Sequence, residues 1–111
     1  MADHTTDFLT LARTADAWGT DPARLLDWMG IDGAALLDAS PPARDEMGRR
    51  LADLRTVAAA LRTHGFAPSW KRCTQDPLPG MAGRTIADHV AQGQTDRVIE
   101  VIRASAAGVF A

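Results

Sequence analysis

The chain contains 111 residues, with 12 Lys and Arg against 14 Asp and Glu, so its formal net charge is -2 at pH 7. This length predicts one domain, or two very small units that share a core. The slight acidic excess argues against a protein dedicated to coating nucleic acid, because phosphate contacts need a surplus of Lys and Arg.

Helix signals begin near the N-terminus, and no alternating apolar run predicts a strand. Apolar residues at three- and four-residue steps predict a first helix over residues 6–18. Asp21 and Pro22 are the residue types that open a second helix, as N-cap and first helical residue, and Gly30 suits its end. A short third helix is predicted over residues 32–39.

The longest predicted helix covers residues 40–64. Its apolar residues step by four, three, four and three positions, which predicts a continuous seam; we interpret this seam as core, with a dimer interface as the alternative. Three arginines on its other sides are candidate DNA contacts, although such a row is more often the solvated face of an amphipathic helix. The seam is Met47, Leu51, Leu54, Ala58 and Leu61, and the candidate DNA contacts are Arg44, Arg49 and Arg50.

The composition changes beyond residue 66. Trp70 lies in a predicted short helical turn, and residues 74–84, rich in Gly and Pro, predict a loop. Thr85 and Thr95 are the predicted caps of two further helices, and residues 108–111 form an apolar tail. The residues of the last helix that are predicted to face inward are Val98, Ile99, Ile102 and Ala106.

Together these elements predict an all-α fold of about seven helices. We expect a helix-turn-helix-like region with the long helix over residues 1–65 and a small helical unit over residues 66–111. In the first region, residues 21–39 carry the skeleton of a motif whose second helix enters a DNA major groove. That second helix has no Arg, Lys, Asn or Gln to contact base edges, and its two Asp side chains would repel phosphate. The pattern therefore predicts a scaffold with poor or lost base recognition.

Residues for catalysis or metal binding are few. His4, His64 and His89 are scattered, and no nucleophile, base and orienting acid fall together. Cys73 is the single cysteine, so an internal disulfide is excluded and a reduced thiol is expected. The sequence shows neither an apolar leader nor a stretch of about 20 apolar residues, which favours a cytoplasmic protein without membrane contact. We expect no enzyme activity, no metal site and no cofactor.

Two apolar segments have no evident place in this core. The predicted loop carries Leu78 and Met81, and residues 108–111 read Gly-Val-Phe-Ala. Either these residues fold back onto the core, or they form a surface that another protein binds. The residue pattern alone leaves both interpretations open.

Several residues in 66–111 share their order and spacing with a known family. They are Trp70, Pro77-Leu78-Pro79-Gly80, Gly83-Arg84-Thr85, Asp88, Gly93, Val98 and Gly108-Val109-Phe110. In this pattern the C-terminal part resembles the toxin-binding domain of the MbcA/ParS/Xre antitoxin family. The helix-turn-helix-like part ahead of it fits the layout of that family.

The resemblance implies the antitoxin of a type II toxin–antitoxin system, whose partner is a RES-domain toxin that consumes NAD or transfers its ADP-ribose. The C-terminal region would cover the active-site cleft of the toxin, with Val109 and Phe110 as hydrophobic anchors, Ala111 as a carboxylate contact and Arg84 entering the cleft. Trp70 would hold the loop to the last helix. The expected toxin-binding residues are Leu78, Met81, Arg84, Val109, Phe110 and Ala111.

The alternative function is that of a helix-turn-helix transcriptional regulator without a toxin partner. In either case a homodimer is the expected assembly, because helix-turn-helix proteins are commonly two-fold symmetric. DNA binding is expected to be weak or lost.

Overall fold

A computed structural model describes residues 4–31, 40–78 and 82–108 of the chain. Over these ranges the backbone forms helices and no strand, so the predicted all-α fold is confirmed. The third predicted helix, at residues 32–39, lies outside the described residues, and with it the second helix of the helix-turn-helix skeleton. The helices are α1 (His4–Ala17), α2 (Pro22–Met29), α3 (Pro41–Thr63), α4 (Trp70–Thr74), α5 (Ile86–Ala91) and α6 (Thr95–Ala106).

Side-chain caps determine where most of these helices begin. Asp21 accepts a hydrogen bond of 3.1 Å from the backbone N–H of Arg24, and α2 and α3 both have proline in their first turn. At α5, Thr85 and Asp88 form a reciprocal capping box. Each cap satisfies backbone N–H groups that the first helical turn leaves without partners, at about 1 kcal/mol per cap.

The predicted cap of the last helix is wrong. Thr95 is the first residue of α6, and Gln94 occupies the cap position without making a side-chain cap hydrogen bond. The reason is a competing contact, since Oε1 of Gln94 lies 2.7 Å from Nδ1 of His89.

Glycine ends α2 as expected. Gly30 has φ 71°, in the left-handed region that favours glycine, and the N–H of the next residue, Ile31, donates to the carbonyl of Leu26 at 2.9 Å. The same arrangement follows α3, where the N–H of Phe66 donates to the carbonyl of Leu61 at 2.8 Å. This bond places Phe66 beside the end of the long helix.

Helix α3 is the centre of the fold. Helix α1 packs against it from the N-terminal part of the chain, with α2 beside α1, and α5 and α6 pack against it from the C-terminal part. The seam predicted for the long helix is buried and belongs to the core. The fully buried side chains along α3 are Leu51, Leu54 and Val57, and each contributes about 1.5–3 kcal/mol by leaving water.

One apolar cluster includes buried residues from both predicted parts of the chain, from Leu11 in α1 to Ile102 in α6. A second link between the parts is aromatic: the rings of Trp28 and Trp70 meet edge to face, with centroids 6.1 Å apart. The division at residue 65 stays a prediction. No helix in the described ranges has both the length and the apolar character that a membrane crossing requires.

The inward face of α6 differs in part from the prediction. Val98 and Ile102 are buried and Ile99 is partly buried, as expected, but Ala106 is exposed. Val101, which was not predicted, is buried instead. Ala106 is the last residue of α6.

Candidate partner-binding surface

The loop between α4 and α5 is closed at its base. Pro77 and Thr85 form an antiparallel bridge, and the N–H of Leu78 donates to the carbonyl of Arg84 at 2.9 Å. Before the bridge, Ala82 has φ 55° and Gly83 has φ 79°. A left-handed conformation costs a residue with a Cβ about 1–2 kcal/mol, so the closure of the loop holds Ala82 in a conformation that it would rarely adopt alone.

Arg84 stands on the returning side of this loop, next to the capping box of α5. Its side chain is exposed, and Nη1 donates to Oε1 of Gln92, the C-cap residue of α5, at 3.1 Å. An exposed hydrogen bond of this kind contributes little to stability, so a partner can replace it at low cost. The hydrogen bond to Gln92 holds the exposed guanidinium of Arg84 near the C-terminal end of α5.

A groove with a volume of about 320 Å³ lies beside the loop. Its lining comes from the end of α3, from α4 and the segments on both sides of it, from the first residue of α5 and from one face of α6. Most of these side chains are apolar, and Arg72 and Asp76 add one charge of each sign. The lining residues are Leu61, Phe66, Arg72, Asp76, Pro77, Leu78, Ile86, Val101, Ile102 and Ser105.

A cation–π contact fixes one side of the groove. The guanidinium carbon of Arg72 lies 5.6 Å from the centroid of the Phe66 ring. Arg72 is itself held in α4, where its N–H donates to the cap side chain of Ser69 at 3.1 Å. The attraction between the Arg72 guanidinium and the face of this partly buried ring helps to hold Phe66 in the groove lining.

The last turn of α6 forms another side. Val101, Ile102 and Ser105 follow one another by one and three positions and line the groove together. Beyond Ala106 the chain turns at Gly108, which has φ 85°, and its N–H donates to the carbonyl of Ser105 at 3.1 Å. Residues 109–111 follow directly from this turn.

Two of the six predicted toxin-binding residues can be located. Leu78 lines the groove and Arg84 stands on the loop beside it. The other four, Met81, Val109, Phe110 and Ala111, lie outside the described residues. For Trp70, the ring contact in the structure is with Trp28 of α2, whereas the predicted contact was with the last helix.

Several lining residues were not predicted as part of a site. Phe66 carried a sequence signal, because a large apolar residue just after a C-terminal glycine is expected to fold back on the helix. No sequence signal marked Arg72 and Ser105 as site residues, since nothing in their local sequence indicates that α4 and the end of α6 line the same groove.

The three candidate DNA contacts all lie on α3, but two are engaged with an acid on the same helix. Arg49 Nη1 lies 2.8 Å from Oε2 of Glu46, and Arg50 Nε lies 3.2 Å from Oε1 of the same carboxylate. Arg44 lies one turn earlier, in the first turns of α3. Because one carboxylate neutralises part of the charge of two arginines, this stretch of α3 offers less positive charge than its sequence indicates.

The candidate catalytic groups are held in structural positions. Burial raises the pKa of the Cys73 thiol to about 12, so the thiolate that a nucleophile requires is scarce near neutral pH. His89 is buried and paired with Gln94, and its Nε2 has no hydrogen-bond partner. In the described part of the chain, no three His, Cys, Asp or Glu side chains come together as a metal site would require.

Comparison of the chain with protein-family models, with curated proteins and with solved structures gives no significant match in any of the three. The family resemblance therefore rests on the residues quoted for it, and the surface beside α5 and α6 rests on its own geometry.

Proposed function

We propose that this protein is the antitoxin of a type II toxin–antitoxin system and that it inhibits a RES-domain toxin by binding over the active-site cleft. The observation that carries the proposal is the position of two segments at one groove. The loop that bears Leu78 and Arg84 and the helix end that leads to residues 109–111 border the same groove. Of the two segments that the sequence predicts as partner-binding, the loop borders this groove through Leu78, and residues 109–111 are proposed to extend from its rim at the end of α6.

The chemistry of this surface supports a protein partner. Protein interfaces derive most of their binding energy from a few apolar or aromatic anchors and arginines, surrounded by polar groups. Here Leu78 lines a largely apolar groove and its N–H donates to the carbonyl of Arg84, an exposed residue whose side-chain hydrogen bond to Gln92 is easily exchanged. A guanidinium binds carboxylates in a two-pronged geometry, so Arg84 can pair with an acidic side chain in or beside the cleft of a partner.

The resemblance supplies the identity of the partner. Consumption of NAD by the partner, and its inhibition by this chain, are the properties that distinguish an antitoxin from other binding proteins. Binding requires no catalytic residue in the chain itself, and the high pKa of Cys73 is compatible with that role.

The regulator alternative is supported less. It requires exposed cations that face DNA and gain affinity by releasing counterions. Arg49 and Arg50 share the carboxylate of Glu46, and residues 32–39, predicted as the second helix of the motif, include no Arg, Lys, Asn or Gln that could contact base edges. We therefore propose the antitoxin and keep DNA binding as an outcome of the test.

The test is a titration of the RES-domain protein encoded beside this chain, with NAD consumption as the readout. We expect the unmodified chain to abolish NAD consumption near stoichiometric concentration. Arg84→Glu reverses the charge on the loop and is expected to weaken inhibition at least about tenfold, the effect of losing one strong interface contact. Leu78→Asp places a charge in the groove lining and is expected to weaken inhibition to a similar extent.

Each variant has a matched control on the N-terminal helices. Arg24→Glu changes an exposed arginine in α2, and Leu9→Asp changes a leucine of α1 that is 49% exposed. Both controls are expected to inhibit like the unmodified chain, and circular dichroism should show the same helix content throughout. Undiminished NAD consumption at a large excess of the unmodified chain would contradict the proposal. A gel shift with the chain's own promoter DNA that weakens steeply with salt would then favour the regulator.

A further inference from the structure

The groove beside α6 has a mostly apolar lining, and two of the residues that follow α6 in the sequence, Val109 and Phe110, are large and apolar. We propose that in the free protein this groove is the docking site of Phe110 from the chain's own C-terminal segment. The proposal concerns the protein without a partner, so it stands or fails independently of the toxin.

The first support is proximity. Ser105 lines the groove in the last turn of α6, and the turn at Gly108 is tied to Ser105 by a backbone hydrogen bond of 3.1 Å. Phe110 follows Gly108 by two residues, so its Cα lies at most about 7 Å from that glycine. The connection is therefore long enough for the ring to reach the groove when the two residues after Gly108 turn back towards Ser105.

The second support is size. A closed apolar cavity of about 150 Å³ is sufficient for a benzene ring. The groove measures about 320 Å³, which accommodates a phenyl ring with room for a second small apolar side chain such as that of Val109.

The third support is chemistry. Phe66, Leu78 and Ile102 offer the groove an aromatic ring and two aliphatic side chains, against which a phenyl ring gains both apolar burial and ring–edge contacts. Arg72 lies over the Phe66 ring, and its guanidinium can make the same kind of contact with a docked phenyl ring.

Other occupants are less favoured by the geometry. Met81 follows the lining residue Leu78 by three positions, and the experiment below distinguishes it from Phe110. A second copy of the chain would have to supply a segment from elsewhere, whereas Phe110 is already held next to the groove by covalent connection. Intramolecular docking has the advantage of a high effective concentration.

The docking has a consequence for partner binding. A segment seated in the groove must leave it before the same side chain can enter a cleft on another protein. The apparent affinity for that partner is then reduced in proportion to the fraction of molecules whose segment is free.

The experiment uses the full chain with 4-fluorophenylalanine at its three Phe positions. The fluorine resonance that is missing from the spectrum of the Phe110→Leu variant is assigned to Phe110. The measurement is the change of each fluorine shift between H₂O and D₂O, which grows with exposure to solvent. We expect Phe110 to show less than half the change that it shows in the urea-unfolded chain. Ser105→Leu places a larger side chain in the groove and should increase the H₂O–D₂O change of the Phe110 fluorine shift at least twofold.

The matched control is Ala107→Leu, which adds the same side chain two positions later at an exposed residue that does not line the groove. It should leave the Phe110 resonance unchanged. A readout without substitution is the nuclear Overhauser effect between the Phe110 ring and the methyl groups of Leu78 and Ile102, expected in the unmodified chain.

Full exposure of Phe110 in the unmodified chain would overturn the proposal. So would protection that Ser105→Leu does not change, since Phe110 would then pack elsewhere. Protection that disappears on dilution would assign the groove to a second copy, and Overhauser effects from Leu78 and Ile102 to the Met81 methyl group instead of Phe110 would assign it to the loop. Each of these outcomes rejects docking of the chain's own Phe110.

Discussion

The indole Nε1 of Trp18 donates a buried hydrogen bond of 3.1 Å to the backbone carbonyl of Leu54, in the middle of α3. Trp18 directly follows α1 and is completely buried. One side chain therefore provides both apolar contact and a polar link between the N-terminal helices and the central helix. The bond also satisfies an indole N–H that burial would otherwise leave without a partner.

Trp18→Phe removes this hydrogen bond and part of the ring volume. We expect the free energy of unfolding to fall by about 2–3 kcal/mol, about 1 from the hydrogen bond and the rest from the smaller ring. Urea denaturation measured by circular dichroism gives this value. Leu9→Ala is the control, because Leu9 is 49% exposed and its truncation should cost less than about 0.5 kcal/mol. Equal losses in the two variants would contradict the role assigned to Trp18.

The edge-to-face contact between Trp28 and Trp70 is expected to stabilise the protein beyond what the burial of each ring contributes alone. We predict a coupling free energy of about 0.5–1.5 kcal/mol in the double-mutant cycle of Trp28→Leu and Trp70→Leu, the range found for aromatic pairs. Unfolding of the four proteins in urea provides the cycle. Additive losses would mean that each ring acts only through its own burial, and α2 and α4 would then not be linked energetically by this contact.

The local features of this fold could be predicted from the sequence because they depend on residues close together in the chain. Three N-cap side chains accept a hydrogen bond from the backbone N–H three positions later: those of Asp21, Ser40 and Thr85. The type and the position of one residue are therefore enough to predict where such a helix begins. The wrong cap at Thr95 shows the limit of that reasoning. Gln94 holds the cap position while its side chain pairs with His89 across the turn between α5 and α6.

The groove could be predicted only in part. Leu78 was predicted to have no evident place in the core; in the structure it is partly buried against the core cluster and also lines the groove. Phe66, Arg72 and Ser105 join it only because α3, α4 and α6 pack in one particular way, and no periodicity within a helix specifies that arrangement. The functional identity of the surface came from the family resemblance and stays a proposal.

The contact between His89 and Gln94 leads to a third prediction. Gln94→Ala removes the partner of Nδ1 and leaves both ring nitrogens of a buried histidine without hydrogen bonds. We expect a loss of about 1–3 kcal/mol in the free energy of unfolding. Gln92→Ala is the matched control, because its hydrogen bond to Arg84 is exposed and its loss should cost less than about 0.5 kcal/mol. A cost for Gln94→Ala no larger than that of the control would contradict the prediction.

The buried thiol of Cys73 predicts a dependence of stability on pH in the alkaline range. Burial raises the pKa of this thiol from 9.0, its ordinary value in water, to about 12 in the folded state. The folded protein therefore keeps a proton that the unfolded chain releases above pH 9. Its contribution to stability is complete below pH 9 and falls by about 1.4 kcal/mol for each pH unit from there towards pH 12.

Cys73→Ala separates this effect from all other alkaline titrations. At pH 7 the variant is expected to be less stable by about 1 kcal/mol, because a small cavity replaces the sulfur. Above pH 9 the unmodified protein should lose stability more steeply than the variant, so the difference narrows and then reverses. Urea unfolding of both proteins between pH 8 and pH 10.5 measures the two slopes. Parallel slopes would show that the thiol ionises as readily in the folded state as in the unfolded one, and rapid alkylation of the native protein at pH 8 by iodoacetamide would have the same meaning.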